Sequence, residues 1–145
     1  MTNKEYSKMT KQASPGSKVL LNCFNAFWVG GLICLLGEGL SELYTYYGLS
    51  QLTAASAVSI SLITLSIILT ALGWYQKIAK FAGAGTLVPI TGFANAMSSP
   101  AIEFKTEGQV LGTGAKLFSI AGPVIVYGLV SAFLYGLIYQ IVTMF

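Results

Sequence analysis

Residues 82–97 read AGAGTLVPITGFANAM, an uncharged stretch whose own glycines and proline prevent it from forming one regular helix. The ring of Pro89 disfavours the α region at Val88, so these two residues predict a break. Gly83, Gly85 and Gly92 supply permissive backbone on both sides of it. In hydrocarbon, broken backbone is costly, because a peptide group without a partner there has no water to bond. It persists only where protein or a water-lined cavity covers it. The stretch therefore predicts a re-entrant or discontinuous element, the kind at which channels and transporters hold ligands.

Composition supplies the membrane that this argument needs. Of 145 residues, 54% are hydrophobic and 9% charged, against about a quarter charged in a soluble domain. The length allows one domain, and the expected fold class is an all-α integral membrane protein. The chain contains no His, Arg or Asp, which removes imidazole acid-base chemistry, histidine metal sites and arginine clamps on phosphate. No metal or cofactor is expected. Serine and glutamate occur without the spacing of a nucleophile–base pair, so an enzyme is not expected either. The net charge of +3 comes from lysines near the ends of apolar runs, a pattern of membrane topology rather than of nucleic-acid binding. Cys23 and Cys34 would stand about 16 Å apart along one helix, beyond disulfide reach, and read as small membrane-buried hydrophobes.

Working outward, residues 1–18 form a basic segment with Lys4, Lys8 and Lys11 at helical spacing, closed by Pro15 and Gly16. A membrane domain then occupies 19–145. Continuous spans are expected near 19–37, 53–75 and 117–143, and the broken segment 82–97 counts as a fourth if it crosses. The first apolar run is too long for a signal-peptide core and lacks a small-residue cleavage site, so it is expected to stay in the mature protein. Four lysines precede it and Glu38 and Glu42 follow it, which places the N-terminus in the cytoplasm. Asn22 and Asn25 share a face suited to interhelical hydrogen bonds, and Gly30 and Gly31 allow a neighbouring helix to approach closely. Glu38 and Glu42 share a face at the outer boundary, where a carboxylate pair can attract a cation. Solvated interfacial glutamates beside Tyr44, Tyr46 and Tyr47 are the plainer alternative.

The second span carries Ser56, Ser59, Ser66, Thr70 and Gly73 in a narrow sector that calls for a packed helix or a hydrated path, with packing favoured. It ends at Trp74, Tyr75, Gln76 and Lys77, an interfacial signature. Lys77 and Lys80 return the chain to the cytoplasmic side. If 82–97 dips in and returns, all eight basic residues lie on that side, so re-entrance is favoured over crossing. Gly112 and Gly114, then Gly122 and Pro123, interrupt a second apolar stretch, and Gly128, Ala132 and Gly136 form a small-residue ridge for helix contact.

Three spans and a broken one are too few to wall a wide pore alone, so permeation implies partner subunits. Half-helices starting at the glycine-rich turns would present backbone amides, and with Lys77 and Lys80 near the entry they favour an anionic ligand.

Three blocks, GAGTLVPITGFANA at 83–96, EGQVLGTGAKLFSIAGPVIVYG at 107–128 and NCFNAFWVGGLICLLGEG at 22–39, carry a resemblance. They resemble the stage V sporulation protein A (SpoVA) membrane subunits, of the type shared by the AC and AE-b members. The resemblance implies a multi-pass protein of the spore inner (forespore) membrane. Its implied role is as a channel subunit, with a proposed tension-gated opening, that moves dipicolinic acid and calcium in during sporulation and out at germination. The implied partners are an AE-b type membrane subunit and a soluble AD type subunit that binds dipicolinic acid. The family signature falls on Gly83, Gly85, Val88, Pro89, Thr91, Gly92, Phe93 and Asn95, and extends to Gly122 and Pro123, as path-shaping positions. Relatives are expected to carry glutamine at the position of Glu38, which weakens a carboxylate gate there. The competing reading is a structural anchor or assembly subunit without its own pore.

Overall fold

The computed structural model describes residues 5–7, 9–10 and 18–144. Of the basic segment, Lys4, Lys8, Lys11, Pro15 and Gly16 lie outside the described residues. All the regular elements among the described residues are helical, which bears out the all-α class.

The first of the long helices, α1, runs from Val19 to Tyr46. It continues past the expected span 19–37, with no proline in Glu38–Tyr46 to stop it, and so carries Glu38 and Glu42 on one helix face as their spacing predicts. The helix ends where Gly48 takes φ 89°, a left-handed conformation that favours glycine. At 28 residues it is about 42 Å long, enough to cross a 30 Å core and carry Glu38 and Glu42 beyond it. Helix α2, Gln51–Ala71, opens where the Ser50 hydroxyl meets Thr53 Oγ1 at 2.7 Å and accepts from the Thr53 N–H at 3.4 Å. It closes at Gly73, φ 71°, where the Trp74 N–H returns to Leu69 O at 3.0 Å. Helices α3 (Tyr75–Ala82), α4 (Ala84–Leu87) and α5 (Ile90–Glu103) follow. A 3₁₀ turn, Phe104–Glu107, and a π-helical segment, Gln109–Gly114, lead into α6, Ala115–Met144.

Two of these features differ from expectation. Val88 is helical in its own dihedrals, φ −70° and ψ −42°, although proline follows it. The break nevertheless falls at Val88–Pro89, between α4 and α5. Helix α6 runs straight through Gly122 and Pro123. A proline in a spanning helix removes one hydrogen bond, and neighbouring groups and local adjustments compensate there, so no interruption results. The interruption of the second apolar stretch lies earlier, in the π-helical residues that contain Gly112 and Gly114.

Contacts divide the chain into two compact units, Met1–Val58 with Gln76–Pro89, and Ser59–Tyr75 with Ile90–Phe145. In the first, α4 packs on α1. In the second, α5 packs on α6 and on the turns that precede it. The segment 82–97 is thus split, its first half belonging to one unit and its second half to the other.

Three helical stretches are long and apolar enough to cross a membrane: Val19–Tyr46, Gln51–Ala71 and Gln109–Met144. Helices α1 and α6 contain no buried residue, and large side chains such as Leu20, Phe27, Phe133 and Tyr135 stand exposed. A water-soluble monomer rarely exposes apolar surface on that scale; lipid or neighbouring subunits cover it without cost.

Candidate functional site

In the first unit the site begins with a glycine at which any side chain would force the backbone to shift. A Cβ placed on Gly85 would lie 2.8 Å from Ala26 Cα and 2.9 Å from Ala26 C, so α4 meets α1 backbone to backbone. The same approach brings the Gly85 carbonyl to within 3.3 Å of a Cβ placed on Gly30, while Gly31 has open space. Of the two glycines singled out for close approach, Gly30 makes the contact. Gly83 takes φ 53° to turn the chain from α3 into α4, and buried Thr86 donates its hydroxyl to Gly83 O at 3.1 Å, closing the turn.

Beside this contact is a cleft of about 390 Å3 lined by Asn22, Cys23 and Ala26 of α1 and by Lys80, Phe81 and Gly83. It unites an ammonium, an amide and permissive backbone, a set of groups able to receive a small anion with one apolar face. Of the two lysines read as entry charges, Lys80 lines this cleft; Lys77 is exposed and outside it. Gly85, Val88 and Pro89 line a separate shallow groove with Phe27, Gly30 and Cys34. Helix α4 is a single turn of four residues, too short to carry an appreciable dipole. The amide part of the anion argument fails in this half of the segment, and Lys80 remains.

Glu38 and Glu42 line one exposed depression with Ser41, Thr45 and Tyr46. They share a face, as their spacing requires, and no cluster of three or more acidic or cysteine ligands occurs among the described residues. Cys23 and Cys34 are both free and exposed.

The second unit holds a buried polar network. Ser66, 1% exposed, donates to Thr91 O at 2.6 Å, and Tyr75, 4% exposed, donates its phenol to Thr91 Oγ1 at 3.2 Å. Thr70 Oγ1 lies 2.7 Å from Ser66 O and 2.8 Å from Asn95 Oδ1. One hydroxyl proton serves two acceptors there, or the Asn95 amide presents its NH2 to Thr70 instead. Ser66 and Thr70 of the serine–threonine sector therefore pack against α5, whereas Ser56 is exposed and bonds back to Leu52 O at 3.2 Å within its own helix. No buried side-chain polar atom among the described residues lacks a hydrogen-bond partner. Gly92 is buried in the same packing and Phe93 faces outward.

Sequence reasoning read Tyr75 with Trp74 as interfacial. Trp74 is exposed, but Tyr75 is buried, because its phenol finds a partner on α5. That partner is remote in sequence, and no local pattern points to it. Ala26, the backbone partner of Gly85, was missed for the same reason. Gly122 has open space around it, Pro123 is exposed, and Gly128, Ala132 and Gly136 are exposed with nothing within 4 Å of a Cβ at either glycine.

Spanning helices joined by glycine-built breaks, with a lysine-bearing cleft and a buried hydroxyl network, define a multi-pass, all-α membrane protein. The SpoVAC/SpoVAEB sporulation membrane protein family matches residues 22–138, and the chain belongs to that family. It is similar to Stage V sporulation protein AC of Bacillus subtilis (strain 168), at 45% identity over 141 residues, which cover 95% of this chain and 94% of that protein. No solved structure matches the chain.

Proposed function

We propose that this chain is a membrane subunit of a gated channel or transporter that carries dipicolinic acid, with its calcium, across the inner membrane of the spore, inward during sporulation and outward at germination. It is a conduit and not an enzyme. Its partners are the AE-b type membrane subunit and the soluble AD type subunit, and membrane tension is its proposed opening stimulus. The N-terminus lies in the cytoplasm, with the lysines of 77–116 on the same side.

One observation carries the reading: the single-turn helix α4, held backbone to backbone on α1 at Gly85 and Ala26, beside a cleft that holds Lys80 and Asn22. A membrane anchor has no need of an interrupted helix, and a straight one would be more stable. A pyridine dicarboxylate offers two carboxylates to Lys80 and Asn22 and an aromatic face to Phe81. Membership of the sporulation family supports the same direction.

The assembly-subunit reading is favoured by a different observation, helix α6 without a buried residue and with its open, exposed Gly128–Ala132–Gly136 ridge. Flux of labelled dipicolinic acid from liposomes containing this chain alone, with and without stretch, separates the two. Stretch-dependent release is expected if the chain forms its own gate. Absence of release from correctly inserted chain, restored only when the other subunits are present and unaffected by Lys80→Glu, would assign it to assembly.

A further inference from the structure

The second unit contains a larger groove, set apart from the Lys80 cleft and lined in part by Phe93, Ala94 and Met97 from the end of the broken segment. It occupies about 730 Å3 and is lined by Ile63 and Ile67 of α2, Met97 and Ala101 of α5, Lys105 of the 3₁₀ turn and Leu117 of α6. Its floor follows from the sequence of α5: Ala94, Ser98 and Ala101 recur at helical spacing, and their small side chains leave volume that larger ones would fill. Ser98 adds no free donor, since its hydroxyl bonds back to Ala94 O at 2.8 Å. The groove is therefore apolar along its length, and unbranched Met97 gives it an adaptable wall.

Lys105 is the one charged residue of its lining. Lys105 lines the groove, while Glu103 and Glu107, on either side of it in sequence, do not. Lys105 is exposed and lies in the turn that precedes the spanning stretch Gln109–Met144, whereas Ile63 and Ile67 sit in the middle and later part of the spanning helix α2. A trough that starts at a lysine outside the span and continues along apolar side chains within it has the polarity of a phospholipid: anionic head, then acyl chain. Basic pockets beside spanning helices bind anionic headgroups in this way.

We propose that this groove is a binding site for one anionic phospholipid, with an acyl chain along Ala94, Met97 and Ala101 and the phosphate at Lys105. The site is independent of the permeation reading, because lipid retention is measured without flux.

Native mass spectrometry of the full chain in detergent, with phosphatidylglycerol and phosphatidylcholine of identical acyl chains, tests it. Phosphatidylglycerol is expected to be retained about fivefold better. Lys105→Gln should abolish that preference, Lys77→Gln should leave it, and Ala101→Phe should reduce retention of both lipids. Equal retention of the two lipids by the unmodified chain would overturn the proposal, as would a preference that survives Lys105→Gln or falls equally with Lys77→Gln. Displacement of the lipid by inorganic phosphate alone would make this a free-anion site. Efficient Ala101→Cys cross-linking of two copies, with Cys23 and Cys34 changed to Ser, would assign the groove to a second chain.

Discussion

Gly85 and Ala26 meet backbone to backbone: a Cβ on Gly85 would come within 2.8 Å of Ala26 Cα, a separation that real Cβ atoms do not show. The contact is made by main chain on both sides, so no rotamer change can relieve it. Gly85→Ala should therefore push α4 off α1 and cost about 1–3 kcal/mol, as overpacking does. Gly30→Ala, at 3.3 Å from Gly85 O, should cost less, and Gly31→Ala, with open space, should stay within about 0.5 kcal/mol of the parent. Unfolding in mixed micelles with increasing dodecyl sulfate gives the ranking, and equal losses at all three positions would remove the close approach from the account.

The break also makes a functional prediction. Leu at Gly85 or Gly92, both buried, should stop release of dipicolinic acid in the assembled complex while membrane insertion persists. Normal release from both variants would separate the broken segment from transport.

Charge at the cleft is asymmetric between two nearby lysines. Lys80 lines it with Asn22 and Lys77 does not, so Lys80→Glu should lower anion flux several-fold more than Lys77→Glu in an assay where this chain limits flux. Equal effects would indicate a diffuse surface potential rather than a cleft.

In the hydroxyl network, Thr70 and Asn95 are 2.8 Å apart and part-buried. A double-mutant cycle of Thr70→Ala and Asn95→Ala should return a coupling of about 0.6 kcal/mol, with about 1.7 as the upper end for bonds between membrane helices. Ser66→Ala should lose a similar amount through its 2.6 Å bond to Thr91 O, and Ser66→Leu should lose more by overpacking a site only 1% exposed. Coupling of zero would mean that the groups share a boundary without a bond.

The π-helical turn depends on Gly112, where a Cβ would sit 2.7 Å from both Phe104 O and the Glu107 side chain. Gly112→Ala should unwind Gln109–Gly114 from the preceding 3₁₀ turn. Faster hydrogen exchange across 109–114, with α6 beyond Pro123 unchanged, is the expected readout.

Much of the architecture was legible before any coordinates. Low charge and long apolar runs required spanning helices, and the glycine–proline content of 82–97 placed its break at Val88–Pro89. Where local rules failed, packing or neighbouring hydrogen bonds outweighed them: Val88 stays helical before proline, and α6 continues through Pro123. Helix α1 runs on to Tyr46 beyond the expected span, because polar Glu38 and Glu42 mark a membrane limit and not a helix end.

The sequence by itself determined the class of protein, its apolar stretches and the position of the break, since these follow from transfer free energies and backbone sterics that act within a few residues. Only the tertiary structure decided which faces meet: Gly85 on Ala26, Tyr75 and Ser66 on Thr91, and Lys105 in the lining of an otherwise apolar groove. Helical periodicity specifies that a residue lies on a given face, but the partner comes from a distant turn of chain, and close packing of small residues and hydroxyls selects among the faces available.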